Sequence, residues 1–166
     1  MKKRIFIIIL LLISLFNLTA CKEKENEKKK DKTKETTEEK LIVNGYDLSL
    51  TKSDEFENLE YRFPENTIVN SLGTYTMLII NKPDSEEILL KVGITKFGYS
   101  TPEDTVVGEL KEKKNIDGLE WIVFDTDGNN TYALQDGHDT YTISFISNED
   151  LTKFEEEFMN NVKVIE

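Results

Sequence analysis

Alternating hydrophobic and polar positions predict β-structure over most of the chain beyond residue 41. The runs at residues 74–80 and 88–97 are rich in β-branched and aromatic residues, which favour strands. Residues 81–85 between them, Asn-Lys-Pro-Asp-Ser, have the composition of a turn. Shorter alternating runs at residues 46–50 and 59–63 predict two further strands, and Pro64 ends the second of them.

The second half of the chain has the pattern of a four-stranded antiparallel meander. Three Asp-Gly dipeptides, a strong hairpin-turn signal, divide it at regular intervals. The predicted strands are residues 109–115, 119–125, 130–135 and 140–146. Because these strands are consecutive and the connections are short, each one should pair with the next.

Two helices are predicted beside the sheet. Thr101 is an N-cap candidate followed by proline, and Gly108 limits this helix to a short one. The capping sequence at residues 147–150 opens a longer amphipathic helix near the C-terminus. Its apolar stripe consists of Leu151, Phe154, Phe158 and Met159. With a last strand at residues 162–165, the pattern predicts an α+β fold, an antiparallel sheet with both helices packed on it.

This order of elements resembles the PsbP-like fold. The resemblance lies in a strand with Trp121, a strand with Tyr132, and residues 141–145 leading into a Phe-x-x-x-Phe helix. The opening segment, residues 59–66, is similar as well. The resemblance implies an accessory or binding protein, since it carries no diagnostic catalytic motif.

The first twenty residues have the pattern of a secretory signal peptide. Residues 1–4 are basic after the initial methionine, and residues 5–16 are apolar except Ser14. A helix that crosses a bilayer needs about 20 apolar residues, so this run is too short to span one.

Residues 18–21, Leu-Thr-Ala-Cys, resemble the lipobox of bacterial lipoproteins. The resemblance implies that Cys21 receives a diacylglycerol group and that a signal peptidase cleaves between Ala20 and Cys21. Cys21 is the only cysteine of the chain, so no intrachain disulfide can form. The predicted location is therefore the extracytoplasmic face of the cell membrane, where acyl chains on Cys21 anchor the protein.

Charge divides the rest of the chain into a tether and a domain. Residues 22–40 hold eight lysines, seven acids and no apolar residue, which predicts a disordered spacer. Residues 41–166 hold 25 acidic and 10 basic residues and form the predicted domain. Such an anionic domain repels phosphate backbones, so nucleic acids are excluded as partners.

The supply of reactive side chains limits the possible chemistry. With one histidine, His138, and no cysteine other than Cys21, the chain cannot build Cys/His catalysis or a Cys/His zinc site. In a meander alternate turns share an end, which would bring Asp117, Asp136, His138 and Asp139 near one edge as candidate ligands of a divalent ion. The same residues are equally explained as turn residues.

The sequence thus predicts a membrane-anchored lipoprotein that acts as a binding or accessory module for a protein or peptide. The alternative is a membrane-tethered hydrolase that uses two carboxylates, because 25 acids allow many pairs. No cofactor motif is present, and we predict no cofactor.

Overall fold

The computed structural model describes residues 40–165, which belong to one compact unit, 39–166. The predicted signal peptide, Cys21 and the predicted tether before residue 40 lie outside the described residues. The strands are β1 Ile42–Val43, β2 Tyr46–Asp47, β3 Leu50–Phe56, β4 Leu59–Pro64, β5 Thr67–Leu72, β6 Tyr75–Asn81, β7 Ile88–Phe97, β8 Glu109–Ile116, β9 Leu119–Thr126, β10 Asn129–Asp136, β11 Asp139–Ile146 and β12 Lys163–Val164. The helices are α1 Pro102–Thr105 and α2 Thr152–Asn160.

A seven-stranded antiparallel sheet forms the centre of the domain, in the order β5-β6-β7-β11-β10-β9-β8. A three-stranded sheet, β12-β4-β3, and the small hairpin β1-β2 complete the β-structure. The predicted meander of β8 to β11 is confirmed, since each of these strands pairs with its neighbour in sequence. The connection from β7 to β8 must therefore pass from the middle of the sheet to its edge.

The core lies between one face of the large sheet and the layer made by β4 and α2. From this layer, Tyr61, Phe154 and Phe158 are at most 1% exposed. From the large sheet, Trp121 and Phe145 are buried to the same extent. Phe158 contacts the rings of Tyr61 and Phe145 at centroid distances of 6.3 and 5.4 Å, which ties the two layers together.

The predicted α+β class, including the PsbP-like arrangement, is wrong. Strands make up 59% of the structure and helices 10%, and the two helices have four and nine residues. The amphipathic segment near the C-terminus does form α2, but it is a small part of a layer that is otherwise β-structure. Three strands were not predicted, namely β1, β5 and most of β3; the predicted strand at residues 46–50 covers β2 and only the first residue of β3.

The hairpin turns follow the chemistry of their residues. Asp117 and Gly118 both have positive φ, at 50° and 84°, as a type I′ turn requires. At the third Asp-Gly dipeptide the turn is shifted by one residue. Asp136 pairs with Asp139, so the loop is Gly137–His138, and only Gly137 has positive φ there.

We expect replacement of Tyr61 by phenylalanine to leave the stability unchanged or to raise it by up to about 1 kcal/mol. The buried hydroxyl makes no hydrogen bond of acceptable geometry with any described residue, although Asp54 pairs with Tyr61 across β3 and β4. Burial, and after it the Asp54 carboxylate, raises the pKa of Tyr61. Removal of an unpaired buried hydroxyl eliminates its desolvation cost while the ring contacts remain. Denaturant unfolding measures the change, and a loss of more than about 1 kcal/mol would show that the hydroxyl has a partner.

Candidate functional site: the open face of the large sheet

The side of the seven-stranded sheet that faces away from the core is the candidate site, and we call it the open face. One row of cross-strand partners on this face runs through all seven strands. The row consists of Asn70, Met77, Gly93, Ser144, Thr131, Phe124 and Leu110, in strand order. Side chains two residues before and after these point the same way, because successive residues of a strand alternate between faces. In β8 a bulge between Leu110 and Glu112 shifts the alternation, so Lys113 and Asn115 follow Leu110 on the open face.

The open face is almost free of acidic residues. Following the alternation along each described strand, Glu120 is the single acid on it, and its Oε1 lies 3.2 Å from Nζ of Lys113. The acids of the domain lie elsewhere, as on α2, where Glu155, Glu156 and Glu157 follow one another. A solvated sheet face would be expected to carry its share of charges, so this distribution sets the open face apart.

The connection between β7 and β8 covers part of the open face. Helix α1 packs against β11 and β10, and Oγ1 of Thr140 donates a hydrogen bond of 2.8 Å to the carbonyl oxygen of Ser100. Val106 packs on a small cluster formed by Ile122, Phe124 and Ala133. This connection leaves the open face of β5, β6 and β7 uncovered.

The uncovered part of the open face is mainly apolar, with Lys91 of β7 as a charged residue between Ile79 and Ile146. Leu72 is 83% exposed, and Ile68 and Ile146 are each 50% exposed. Tyr75, Met77 and Ile79 of β6 are half-buried between them. Large exposed apolar side chains on one surface are typical of contact sites for other molecules.

Small and hydroxyl-bearing side chains form the middle of this surface. The Tyr75 ring lies beside Gly93, and its hydroxyl donates to Sδ of Met77 at 3.3 Å. In β9, β10 and β11, Oγ1 of Thr126 donates to Oγ1 of Thr131 at 3.3 Å, and the latter donates to Oγ of Ser144 at 3.1 Å. The open face therefore combines exposed apolar side chains on β5, β6 and β11 with neutral hydrogen-bonding side chains on β9, β10 and β11.

The four candidate metal ligands lie at the expected end of the sheet but are engaged in other contacts. Oδ2 of Asp139 lies 3.2 Å from Nζ of Lys96, and the His138 ring stacks on Tyr99 with centroids 5.9 Å apart. Asp117 occupies a positive-φ turn position, and Asp136 closes its hairpin opposite Asp139. Within residues 40–165 no three acidic or histidine side chains are grouped to hold a metal ion.

We expect that millimolar calcium or zinc will not raise the melting temperature of the protein. A ligand that binds only the folded state must stabilise it, and two of the four candidates already have a partner, Asp139 in Lys96 and His138 in Tyr99. Thermal melting with and without each ion measures this. A rise in the midpoint that disappears in an Asp139→Asn variant would restore the metal site.

A shallow cleft of about 430 Å³ lies between the β1–β2 hairpin and the start of α2. Asp150 and Glu156 line it, and Nδ2 of Asn44 donates to the Asp150 carbonyl oxygen at 2.9 Å. The Thr152 hydroxyl and backbone N–H donate to the Asp150 carboxylate and lower its pKa. Asp150 thus holds the turn that leads into α2, and the carboxylate hydrolase stays a prediction.

The sequence analysis missed the open face because it missed β5. The signal was present: Thr67, Ile68 and Val69 are β-branched, and Leu72-Gly73 begins a hairpin turn. A second signal was the absence of charge. Residues 66–81 contain no Asp, Glu, Lys, Arg or His in a chain of which 32% is charged.

A scan against protein-family models found no match, and a search of curated proteins found no similar sequence. In residues 40–165, neither helix has the length and hydrophobicity needed to cross a bilayer. The sequence and the geometry of the open face are therefore the basis for the proposed function.

Proposed function

We propose that the protein is a lipid-anchored extracytoplasmic binding module and that its open face contacts a partner protein. The observation that carries this proposal is the charge distribution. A domain with 25 acidic and 10 basic residues keeps all but one of its acids off the open face of its largest sheet. That face exposes Ile68, Leu72 and Ile146 instead.

The chemistry of the open face favours a partner with an apolar contact surface and a neutral or basic charge. Apolar side chains gain free energy when they leave water, at about 25 cal/mol per Å². The acidic remainder of the domain attracts a basic partner over a longer range and repels acidic ones. Apolar contact gives affinity, and the surrounding charge selects the partner.

The position of the chain entry fits a tethered module. The β1–β2 hairpin begins two residues after Lys40, the first described residue, and Asn44 contacts Asp150 at the start of α2. Lys82, in the turn between β6 and β7, reaches Glu149 at the same end, with Nζ and Oε1 3.1 Å apart. Leu72 lies at the other end of the strands, about 24 Å away for a seven-residue strand. Leu72 therefore lies at the opposite end of β6 from Lys82, whereas Ile68 and Ile146 lie nearer to Lys82.

Affinity capture with the purified full-length protein from membrane extracts of its native cells tests the proposal. Met77 lies in the middle of the open face, so Met77→Lys should abolish capture of the partners that the wild-type protein retains. Asn160→Lys is the matched control, because it adds the same charge at an exposed position on α2. Thermal melting confirms that both variants are folded.

The proposal predicts proteins that are captured by the wild type and by Asn160→Lys but not by Met77→Lys. Equal capture by all three proteins would remove the open face as the binding surface. If the wild type captures no protein above the level of an empty matrix, the proposed binding function is wrong.

A further inference from the structure

The two edge strands of the large sheet differ in their protection against pairing. Five of the eight residues of β8 are charged, as Glu-Leu-Lys-Glu-Lys-Lys-Asn-Ile shows. The six residues of β5, Thr-Ile-Val-Asn-Ser-Leu, carry no charge; four of them are exposed, and Thr67 and Val69 are partly buried. Charged side chains on an edge prevent it from pairing with another strand, and β5 lacks this protection.

The hydrogen-bonding direction of β5 follows from its hairpin. Leu72 pairs with Tyr75 across a two-residue loop in which Gly73 has a φ of 57°. The pair that flanks such a loop exchanges both backbone hydrogen bonds, and every second pair along the hairpin does the same. Leu72, Asn70 and Ile68 therefore direct their backbone groups to β6. The backbone groups of Thr67, Val69 and Ser71 point outward, away from the sheet.

We propose that two copies of this chain pair through β5, antiparallel and symmetric about Asn70. In this register Val69 of one copy exchanges backbone hydrogen bonds with Ser71 of the other. These bonds use the backbone N–H and C=O groups of β5 that point away from the sheet. On the open face Ile68 lies opposite Leu72 of the second copy, on each side of a central Asn70–Asn70 pair. Ile68 and Leu72 are 50% and 83% exposed in the single chain, so their contact removes part of each side chain from water while the open face stays accessible.

Moving the symmetry axis by one residue along β5 removes this match. With the axis at Val69, Ile68 lies opposite Asn70 and Leu72 lies opposite Asn66. With the axis at Ser71, Leu72 lies opposite Asn70. Symmetry about Asn70 alone pairs the two exposed apolar side chains of β5 with each other, so the strand is complementary to itself.

Charge favours a second copy over a basic peptide as the occupant of this edge. A site built to capture a basic strand would be expected to carry acids, and residues 66–81 carry none in a domain that has 25. Two copies of an acidic domain repel each other, and the uncharged hairpin of β5 and β6 is where they can meet without opposed acids. The pairing would join the two large sheets into one continuous sheet.

Disulfide formation at the symmetry axis tests the proposal directly. The protein is the full-length chain with Cys21→Ser, which removes the only native thiol. Asn70 occupies a non-hydrogen-bonded position in the proposed dimer, so its two Cα atoms lie about 4.5 Å apart, within the range of a disulfide. Asn70→Cys should therefore form a covalent dimer under mild oxidation. Asn115→Cys, at an exposed asparagine of the other edge strand, is the matched control.

Sedimentation equilibrium of the same Cys21→Ser chain provides a second measurement. We expect a monomer–dimer equilibrium in which Ile68→Lys weakens association at least about tenfold, because lysine replaces the apolar partner of Leu72 at two symmetric places. Val107→Lys should leave the equilibrium unchanged, since Val107 is 90% exposed and lies outside β5.

A protein that stays monomeric, or equal cross-linking of Asn70→Cys and Asn115→Cys, would overturn the pairing through β5. The inference does not depend on the proposed function. A monomer that still captures partners through Met77 would leave the binding module intact, and a dimer that captures nothing would leave the pairing intact.

Discussion

Replacement of Phe158 by alanine is expected to lower the free energy of unfolding by about 3–5 kcal/mol. The Phe158 side chain is fully buried and contacts Phe145 of β11, Tyr61 of β4 and Phe154 of α2, with the closest ring centroid at 5.4 Å. These rings come from both layers of the core. Alanine would leave a cavity that three aromatic side chains on different elements could not easily fill.

Equilibrium unfolding in urea measures this loss, with Phe97→Ala as the matched control. Phe97 has the same side chain but lies at the end of β7 and is 37% exposed, so we expect its loss to cost well under half as much. If both variants lost the same stability, α2 would not be packed in the core as described.

The features that the sequence predicted well are those set by local chemistry. The Asp-Gly turns at residues 117–118 and 127–128 require positive φ at both positions, and only a few residue types adopt it without strain. Together with alternating strands, these turns determine the meander of β8 to β11. The polar sequence at residues 147–150 likewise predicted the start of α2 within two residues of its observed position, although the N-cap is Leu151 and makes no side-chain cap hydrogen bond.

The fold class was mispredicted because it depends on pairing between distant segments. β4 pairs with β12, about a hundred residues later in the chain, and β7 pairs with β11 rather than with β8. The pattern of β5 is short, with exposed apolar residues and an Asn-Ser pair that is common in loops. Its β-branched residues are a weak signal that its pairing with β6 resolves.

The open face could not be predicted for the same reason. Met77, Gly93 and Ser144 belong to three separate segments, and nothing in any one of them shows that they share a face. Their position depends on the register of two strand pairs, and a shift by one residue would turn the side chains of a strand to the core. By contrast, the proposed metal ligands were chosen from turn signals, and the turns themselves account for Asp117 and Asp136.

Replacement of Cys21 by serine is expected to abolish lipid attachment and to leave residues 1–20 on the protein. Serine has no thiol to form the thioether, and the lipobox cleavage that the sequence predicts follows lipid transfer. Each buried methylene of an acyl chain contributes about 0.8 kcal/mol, so loss of the lipid removes the main source of membrane affinity. Growth of the native cells with labelled palmitate, followed by isolation of the protein, measures the attachment.

The control is Thr19→Ser, which keeps a small residue within the lipobox and should keep both the label and the cleavage. Mass spectrometry of the N-terminus distinguishes a chain that begins at a lipidated Cys21 from one that retains its first twenty residues. A wild-type protein without label, or a Cys21→Ser protein that is still labelled, would contradict the anchor. The proposals for the open face and for β5 would then apply to a domain in a different location, because their geometry does not depend on residues before Lys40.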